Sequence, residues 1–314
     1  MEKNMKVDKK EELCRLLKKI ERIPCVLPRK KRKKGFFNDL RRVEAIDEEI
    51  RGSGSAYKWI KGKNYYRLYG QADLETLKKE FSQGEFSKIV LVSSHADNKQ
   101  ENSSYHMMPD AEYINGCFDN ASTNAVCTYI MKHEKNLPRN VLFAFTAGEE
   151  YNMAGAKHVS KKLVKHFGKG NINVVVLDVT YGFQGGVDFT FENDYFFKKH
   201  DGESFIKGIF DIANESDYTW NFLRSEKESD KKHYYVNSGE IRSYMGDGCL
   251  KYTDVEGDDE TSEYEENEFN TFSLCLPCSA EGDTQMHLED GFQISIQTIC
   301  NYTDFLCQIL KSSK

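Results

Sequence analysis

The sequence predicts an α/β fold, with a mostly parallel, mixed sheet and helices on both faces. From residue 88 onwards, short apolar runs of strand length alternate with longer segments that have helical periodicity. The runs are apolar at nearly every position, which is typical of parallel strands that are buried on both faces. Alternating strands and helices favour helical crossovers, and these cover both sides of a parallel sheet.

The main part of the chain is expected to consist of buried strands with helices between them. Strands are predicted at residues 89–92, 140–146, 173–179, 187–191 and 272–276. One helix is predicted to begin at 119–122, and others to span 153–167, 205–213 and 290–310. The closing helix has an apolar face formed by Phe292, Ile296, Ile299, Leu306 and Ile309.

Residues 1–85 are expected to form a helical extension packed on a main domain of residues 86–314, because no Pro/Gly-rich linker separates the two. Helices are predicted at 9–20, 37–50 and 73–81, and an edge strand or hairpin at 57–69. The basic run Arg29–Lys34 is interpreted as a solvated loop, with a localisation or nucleic-acid patch as the alternative. Residues 254–268 contain nine acidic residues and no basic ones, which predicts a solvated surface insertion.

Composition argues against several classes of protein. The net charge of −6 gives no reason to expect nucleic acid as a partner. Neither a membrane span nor a secretory signal is predicted, because no apolar run is long enough and the amino-terminal segment is charged. Nine scattered cysteines indicate reduced thiols and a cytoplasmic protein. Cys275 and Cys278 have no second such pair, so a structural zinc is not favoured there.

Polar residues that can bind a metal follow several of the predicted strands. The carboxyl ends of neighbouring parallel strands meet at one edge of a sheet, so side chains from distant segments can converge there. Imidazole and carboxylate ligands together suit zinc, and two ions that share a bridging carboxylate need about this many ligands. Adjacent Glu149 and Glu150 leave the strand end in different directions, so they are expected to have different roles. The candidates are His95, Asp119, Glu149, Glu150, Asp178 and His287.

Several candidates also have a purely structural interpretation. His95 can be a buried histidine bonded to the backbone, but Asp97 lies two residues on, and a ligand histidine usually donates its other ring N–H to a carboxylate. Asp119 can simply cap the helix that follows it. Asp178 ends a run of four aliphatic residues, where an unpaired carboxylate is costly to desolvate, so a cation partner is favoured.

Five separated motifs occur in the order typical of one family. They are His95 with Asp97, Asp119-Asn120-Ala121-Ser122, Gly148-Glu149-Glu150, Asp178 at a strand end, and the late His287. Over roughly residues 88–310, the chain resembles the zinc aminopeptidases of bacterial leucyl aminopeptidase type, a family that also includes carboxypeptidases and glutaminyl cyclases. The resemblance implies a zinc-exopeptidase-like fold of the phosphorylase/hydrolase-like class.

The resemblance also implies a site with two zinc ions. Asp119 would bridge the ions, and the peptide bond that follows it would be cis. His95 and Asp178 would complete one metal site, whereas Glu150 and His287 would complete the other.

By the same resemblance, Glu149 would be the general base, with Asp97 as the second catalytic residue. The implied enzyme is a di-zinc metallo-exopeptidase, an aminopeptidase that hydrolyses the N-terminal residue of a peptide through a metal-bound water. Two alternatives stay open: a single-zinc glutaminyl cyclase, and a non-catalytic binding module on the same fold. All the ligand positions and the base are occupied by suitable residues, which argues against the binding module.

The chain departs from the family pattern at a few positions. Thr123 stands where the family usually has Gly, and residues 288–290 differ from the usual sequence after the last histidine, which leaves the surroundings of His287 open. Asp259 or Glu260 would match an acidic or polar residue ahead of the last strand. The two thiols of residues 275 and 278 would line the wall of the site.

Overall fold

The computed structural model describes residues 8–23, 41–62, 64–97, 113–115, 119–149, 153–181, 187–192, 200–225, 249–255, 259–280 and 292–313. The helices of this part of the chain are α1 (Lys9–Glu21), α2 (Arg41–Gly52), α3 (Leu74–Ser82), α4 (Ala121–His133), α5 (Ala154–Phe167), α6 (His200–Glu215), α7 (Thr261–Glu265) and α8 (Ile296–Ser312). The strands are β1 (Lys58–Lys61), β2 (Tyr66–Gly70), β3 (Ile89–His95), β4 (Tyr113–Asn115), β5 (Val141–Thr146), β6 (Ile172–Tyr181), β7 (Phe189–Glu192), β8 (Trp220–Ser225), β9 (Cys249–Val255), β10 (Asn270–Ala280) and β11 (Phe292–Ser295). None of these helices is both long enough and apolar enough to cross a bilayer.

The strands form one mixed sheet that is parallel at its centre. Its order is β1-β2-β5-β3-β6-β10-β7-β8-β9, and β11 pairs with both β10 and β4. Neighbours are parallel from β5 through β3 and β6 to β10, and again from β7 to β9. Antiparallel pairs join β1, β2 and β5 at one side and β10 to β7 at the other. The expected hairpin at 57–69 is therefore confirmed, as β1 and β2.

Helices cover both faces of this sheet. Val90 and Val92 of β3 belong to a hydrophobic cluster with buried side chains from α1, α2, α4, α6 and α8. Ile89 and Leu91 alternate with them and belong to a second cluster with α3, α5 and α7. Fully burying one such aliphatic side chain contributes roughly 1.5–3 kcal/mol. The mostly parallel sheet with helices on both faces is therefore confirmed.

The first helices pack onto the main sheet through α4. Lys132 of α4 lies 2.5 Å from Glu12 Oε1 of α1 and 2.8 Å from Glu49 Oε2 of α2. Arg15 binds the same two carboxylates at 2.7 and 2.6 Å. Strand β2, which also precedes residue 86, pairs with β5. Residues 1–85 thus contribute to the common sheet and core, and the domain boundary at 86 stays a prediction.

The closing helix is shorter than the sequence predicted. It begins at Ile296, where the Ser295 hydroxyl oxygen accepts a hydrogen bond from the Thr298 N–H at 3.4 Å. Phe292–Ser295 instead form β11, which pairs with β10. Apolar periodicity cannot separate a short strand from a helix that follows it directly, so Phe292 was wrongly placed on the apolar face of the helix.

The acidic stretch at 254–268 is not a solvated insertion where the structure describes it. Glu260 is 1% exposed, and Glu263 and Glu265 are also buried. Helix α7 brings Tyr264 into the cluster with α3 and α5, and Glu263 forms an ion pair with Lys157 of α5 at 2.8 Å. The prediction was wrong here because the partners of these carboxylates come from distant segments.

Candidate metal centre

Three polar residues meet at the carboxyl edge of the central strands. His95 is the last residue of β3, which lies between β5 and β6 and is parallel to both. Asp178 directly follows Leu177, the β6 partner of Ser94, so His95 and Asp178 lie on neighbouring strands. Asp119 lies just before α4, and α4 begins beside the same edge.

The side chains of His95, Asp119 and Asp178 form a compact group in which the first two are buried and Asp178 is partly buried. His95 Nε2 lies 2.9 Å from Asp119 Oδ1 and 3.6 Å from Asp178 Oδ1. One possible ligand atom from each residue lies within 4.8 Å of the other two. Zinc bonds to nitrogen and oxygen are about 2.0–2.2 Å long, so atoms that bind one ion lie roughly 3–4 Å apart. The donor types and their spacing fit a zinc ion.

The His95 ring is oriented by the backbone of Asp97. Nδ1 lies 3.1 Å from the Asp97 carbonyl oxygen and 3.8 Å from Asp97 Oδ1. A carbonyl oxygen only accepts, so Nδ1–H donates to it, and Nε2 faces the two carboxylates. The sequence predicted the Asp97 carboxylate as this partner, which is wrong. That carboxylate instead accepts a hydrogen bond from the backbone N–H of Glu149 at 3.3 Å.

The first turn of α4 holds Asp119 against two strands. Asn120 Nδ2 donates to the carbonyl of Leu177 on β6 at 2.7 Å. Asn124 Nδ2 donates to the carbonyl of His95 on β3 at 2.8 Å. The Asp119–Asn120 peptide bond is cis, as the resemblance implied. Asn120 is the N-cap residue of α4, so helix capping does not explain Asp119.

The pKa values of this group are shifted by burial and by the charges of its own members. Burial lowers the pKa of His95, but Asp119 and Asp178 outweigh it and hold that pKa well above its usual range. Burial also raises the pKa of Asp178, against the opposing effect of His95, and the nearby Asp119 charge raises it further. A divalent cation between the three side chains would lower the pKa of both His95 and Asp178.

Further buried carboxyl groups lie around these residues. Burial raises the pKa of Glu260 to about 7, although Ser93 Oγ donates a hydrogen bond to it at 2.6 Å. Burial also holds the pKa of Asp259 well above its usual range, and the nearby charges of Glu192 and Asp178 contribute. The pKa of Glu192 rises to about 7, mainly because that side chain is buried too.

Sequence reasoning missed Glu192, although a signal for it was present. Glu192 is the last residue of β7, a charged side chain directly after a largely apolar run, although β7 is antiparallel to β10 and its pairing with Ser273 is what brings Glu192 near Asp178. Cys275 pairs in register with Asp178, and its Sγ lies 3.4 Å from Glu192 Oε2, so this thiol does lie beside the candidates. Cys278 lies three residues further along β10, and it packs in the cluster on the opposite face.

Not all of the predicted site residues can be placed. Glu150 and His287 lie outside the described residues. Glu149 is placed by its backbone hydrogen bond to Asp97, three residues after the end of β5. The structure therefore brings together His95, Asp119 and Asp178, and the role of each predicted residue stays a prediction.

The sequence model of Peptidase family M28 matches residues 77–248, more than half of the chain. The chain belongs to peptidase family M28. The resemblance to zinc aminopeptidases and their relatives is thereby confirmed, and M28 peptidases depend on zinc. The matched segment of this M28 peptidase includes His95, Asp119 and Asp178.

Solved structures share the fold of this M28 peptidase at low sequence identity. An aminopeptidase from the archaeon Desulfurococcus kamchatkensis is 10% identical, with a TM-score of 0.61 over 98% of this chain and 96% of that one. A Pyrococcus horikoshii peptidase is 11% identical, with a TM-score of 0.59 over 95% and 99%. The glutaminyl cyclase of Macrostomum lignano is 12% identical, with a TM-score of 0.57 over 98% and 89%. No curated protein sequence matches the M28 peptidase.

Proposed function

We propose that this M28 peptidase is a zinc-dependent aminopeptidase that removes the N-terminal residue of peptides. The convergence of His95, Asp119 and Asp178 carries the proposal, because one imidazole and two carboxylates brought together at this spacing are a donor set that suits zinc. Membership of a zinc-dependent family supports zinc as that cation. Two ions are proposed, with Glu150 and His287 completing the second site.

Three residues of the chain orient the groups that take part in the proposed proton transfer or accept the proton. His95 presents Nε2 because its Nδ1–H is donated to a carbonyl, and Asp97 holds the backbone of Glu149. Bound zinc lowers the pKa of water and polarises a carbonyl group. Glu149 accepts the proton of the attacking water and transfers it to the amine that leaves when the peptide bond breaks.

Metal analysis combined with turnover of amino-acid anilides tests this proposal. Zinc per chain is measured on the purified protein, and anilide release is followed before chelation, after chelation and after zinc is restored. We expect about two zinc ions per chain, as in two-metal peptidase sites, and release that stops with the chelator. The aminopeptidase proposal fails if no anilide is released in a chelator-sensitive manner.

Two other outcomes would assign a different function. About one zinc per chain, with cyclisation of N-terminal glutamine instead of anilide release, would indicate a glutaminyl cyclase. Zinc binding without either reaction would indicate a binding module. The proposed substrate class is a peptide with a free amino terminus.

A further inference from the structure

Arg42 is a buried cation next to the candidate metal centre. It is the second residue of α2 and only 2% exposed, although arginine is almost never fully buried unless its charge is paired. Its Nη1 lies 3.5 Å from the carbonyl oxygen of Asp119. Among the described residues, its Nε has no hydrogen-bond partner. The guanidinium is therefore directed at the peptide group that follows one of the three ligand candidates.

Helix α2 fixes where this guanidinium can lie. Val43, Ile46 and Ile50 are buried at helical spacing, and they share one hydrophobic cluster with the buried residues of α4. Asp119 immediately precedes the N-cap of α4, so packing of the two helices sets the distance between Arg42 and Asp119. A guanidinium stays protonated at any physiological pH, which makes it a permanent donor.

We propose that Arg42 is a positioning residue for the metal centre. By binding the Asp119 carbonyl it fixes the turn at residues 119–120, in which the Asp119 carboxylate faces His95 Nε2 at 2.9 Å. Arg42 does not touch the reacting atoms and acts only through Asp119. It comes from a helix that ends before residue 77, where the match to family M28 begins. This inference rests on the zinc site of the proposed function.

The two properties of Arg42 have opposite effects on metal affinity, which makes the inference testable. A fixed positive charge repels a divalent cation, so removal of the charge alone would tighten zinc binding. Loss of the donor instead frees the turn at residues 119–120 and weakens zinc binding. Arg42→Lys keeps the charge but loses the planar fork of donors, whereas Arg42→Met loses both. Positioning therefore predicts weaker binding in both variants.

The experiment measures the zinc dissociation constant of the metal-free, full-length chain by competition with a chelator. We expect both Arg42 variants to bind zinc about 10–100-fold more weakly than wild type, the usual effect of removing a partner of a metal ligand. The matched control is Arg51→Met, an exposed arginine of the same helix that pairs with Asp47 at 2.7 Å. Its dissociation constant should equal that of wild type. Thermal unfolding of each metal-free variant reports whether it is folded.

Each remaining outcome would overturn the inference. If the folded Arg42 variants bind zinc with wild-type affinity, the inference is overturned but the zinc site stands. The same holds if Arg42→Met alone binds zinc more tightly than wild type, because that result would be a pure effect of charge. A wild-type chain that binds no zinc overturns the proposed function, and this inference with it. If Arg42→Met does not fold, Arg42→Lys decides. If neither folds with or without zinc, Arg42 is a core residue and not a positioning residue.

An Asp119→Asn background tests whether Arg42 acts through Asp119. If it does, adding Arg42→Lys to Asp119→Asn should weaken zinc binding much less than it does in wild type, because both changes affect the same ligand. Full additivity of the two changes would place the effect of Arg42 elsewhere and overturn the inference.

Discussion

Removing either of two carboxylates of the proposed site should have different effects on zinc binding and turnover. Asp119 lies 2.9 Å from His95 Nε2 and can bind metal directly, so Asp119→Ala should lose zinc and turnover together. Glu149→Ala should keep zinc but lower kcat by about 10²–10⁴-fold, because only the general base is lost. Zinc per chain and anilide turnover, measured on the same samples, distinguish the two. A Glu149→Ala protein with normal turnover would remove the base assignment.

Glu260 should make the stability of the zinc-free protein depend on pH. Its pKa rises from 4.5 to about 7 because it is buried, so the folded state binds more protons than the unfolded state between these values. Its stabilising contribution is full below pH 4.5 and is lost as the pH rises through 7. A shift of this size corresponds to a contribution on the order of 3 kcal/mol.

Urea denaturation of the zinc-free protein at pH 5 and pH 8 measures this loss. Glu260→Gln can still accept the Ser93 hydrogen bond but cannot ionise, so its stability should fall less than that of wild type over this range. The control is Glu266→Gln, an exposed glutamate of the same acidic stretch, which should follow wild type. Equal pH dependence in wild type and Glu260→Gln would contradict the prediction.

At individual residues, the sequence indicated which groups are present but not which atoms meet. The strand-end rule selected His95 and Asp178, and these side chains do meet. The sequence predicted the carboxylate of Asp97 as the acceptor of the His95 ring N–H, whereas the carbonyl of the same residue accepts it, because sequence spacing does not place one oxygen of a residue relative to the ring. Arg42 was not predicted at all, since its contact with Asp119 joins segments that are far apart in sequence.

Among the elements, the junction of α4 with β3 should contribute most directly to the geometry of the site. Thr123 Oγ1 lies 2.8 Å from Ser94 Oγ and also donates to the side chain of Asn120. These partners are the neighbours of His95 and Asp119 in sequence. Thr123, which departs from the family pattern, thus connects the end of β3, which carries His95, to the start of α4, which follows Asp119.

Thr123→Val should destabilise this junction. It keeps the shape of the side chain but removes the donor to the buried side-chain oxygen of Asn120 and the contact with Ser94 Oγ, at a cost of about 1–3 kcal/mol in the free energy of unfolding. Thr128→Val is the matched control, because that buried hydroxyl donates only to the carbonyl of Asn124 in its own helix, at 2.7 Å. Urea denaturation of the zinc-free proteins compares the two. A cost for Thr123→Val no greater than that for Thr128→Val would contradict this role.

Sequence patterns predicted helices and strands well where the residues of the segment alone show that it is buried. The apolar runs of β3, β5 and β6 are buried on both faces, and they were found for that reason. The acidic stretch was misjudged because a run of charges is usually solvated, whereas Glu260 is buried and accepts a hydrogen bond from Ser93 on β3. A pattern within one segment contains no information about such a distant partner.

At the scale of the whole molecule, the amino-terminal helices and the main sheet are expected to unfold together. Glu12 of α1 and Glu49 of α2 both bind Lys132 of α4, so charges of three helices meet at one place. Burial opposes ionisation of Glu12, but hydrogen bonds from Arg15 and Lys132 lower its pKa to about 2. The ionised form of Glu12 is therefore stabilised by the fold.

Lys132→Met tests this connection. It should lower the free energy of unfolding by about 2 kcal/mol, because two largely buried carboxylates lose a shared partner and Arg15 compensates only in part. Lys207→Met is the control, since Lys207 and Asp211 form an exposed pair within one helix, and its cost should stay within about 0.5 kcal/mol.

The effect of Lys132→Met should also depend on pH, with a definite sign. A lowered pKa gives Glu12 a stabilising contribution that is present above 4.5 and is lost as the pH falls towards 2, so the difference between variant and wild type should shrink over that range. Fluorescence and circular dichroism should give coincident urea transitions for both proteins, because α1, α2 and the sheet share one hydrophobic cluster. Two separate transitions in wild type would instead show that residues 1–85 unfold on their own, and the coupling of these helices to the metal centre through α4 would then be weak.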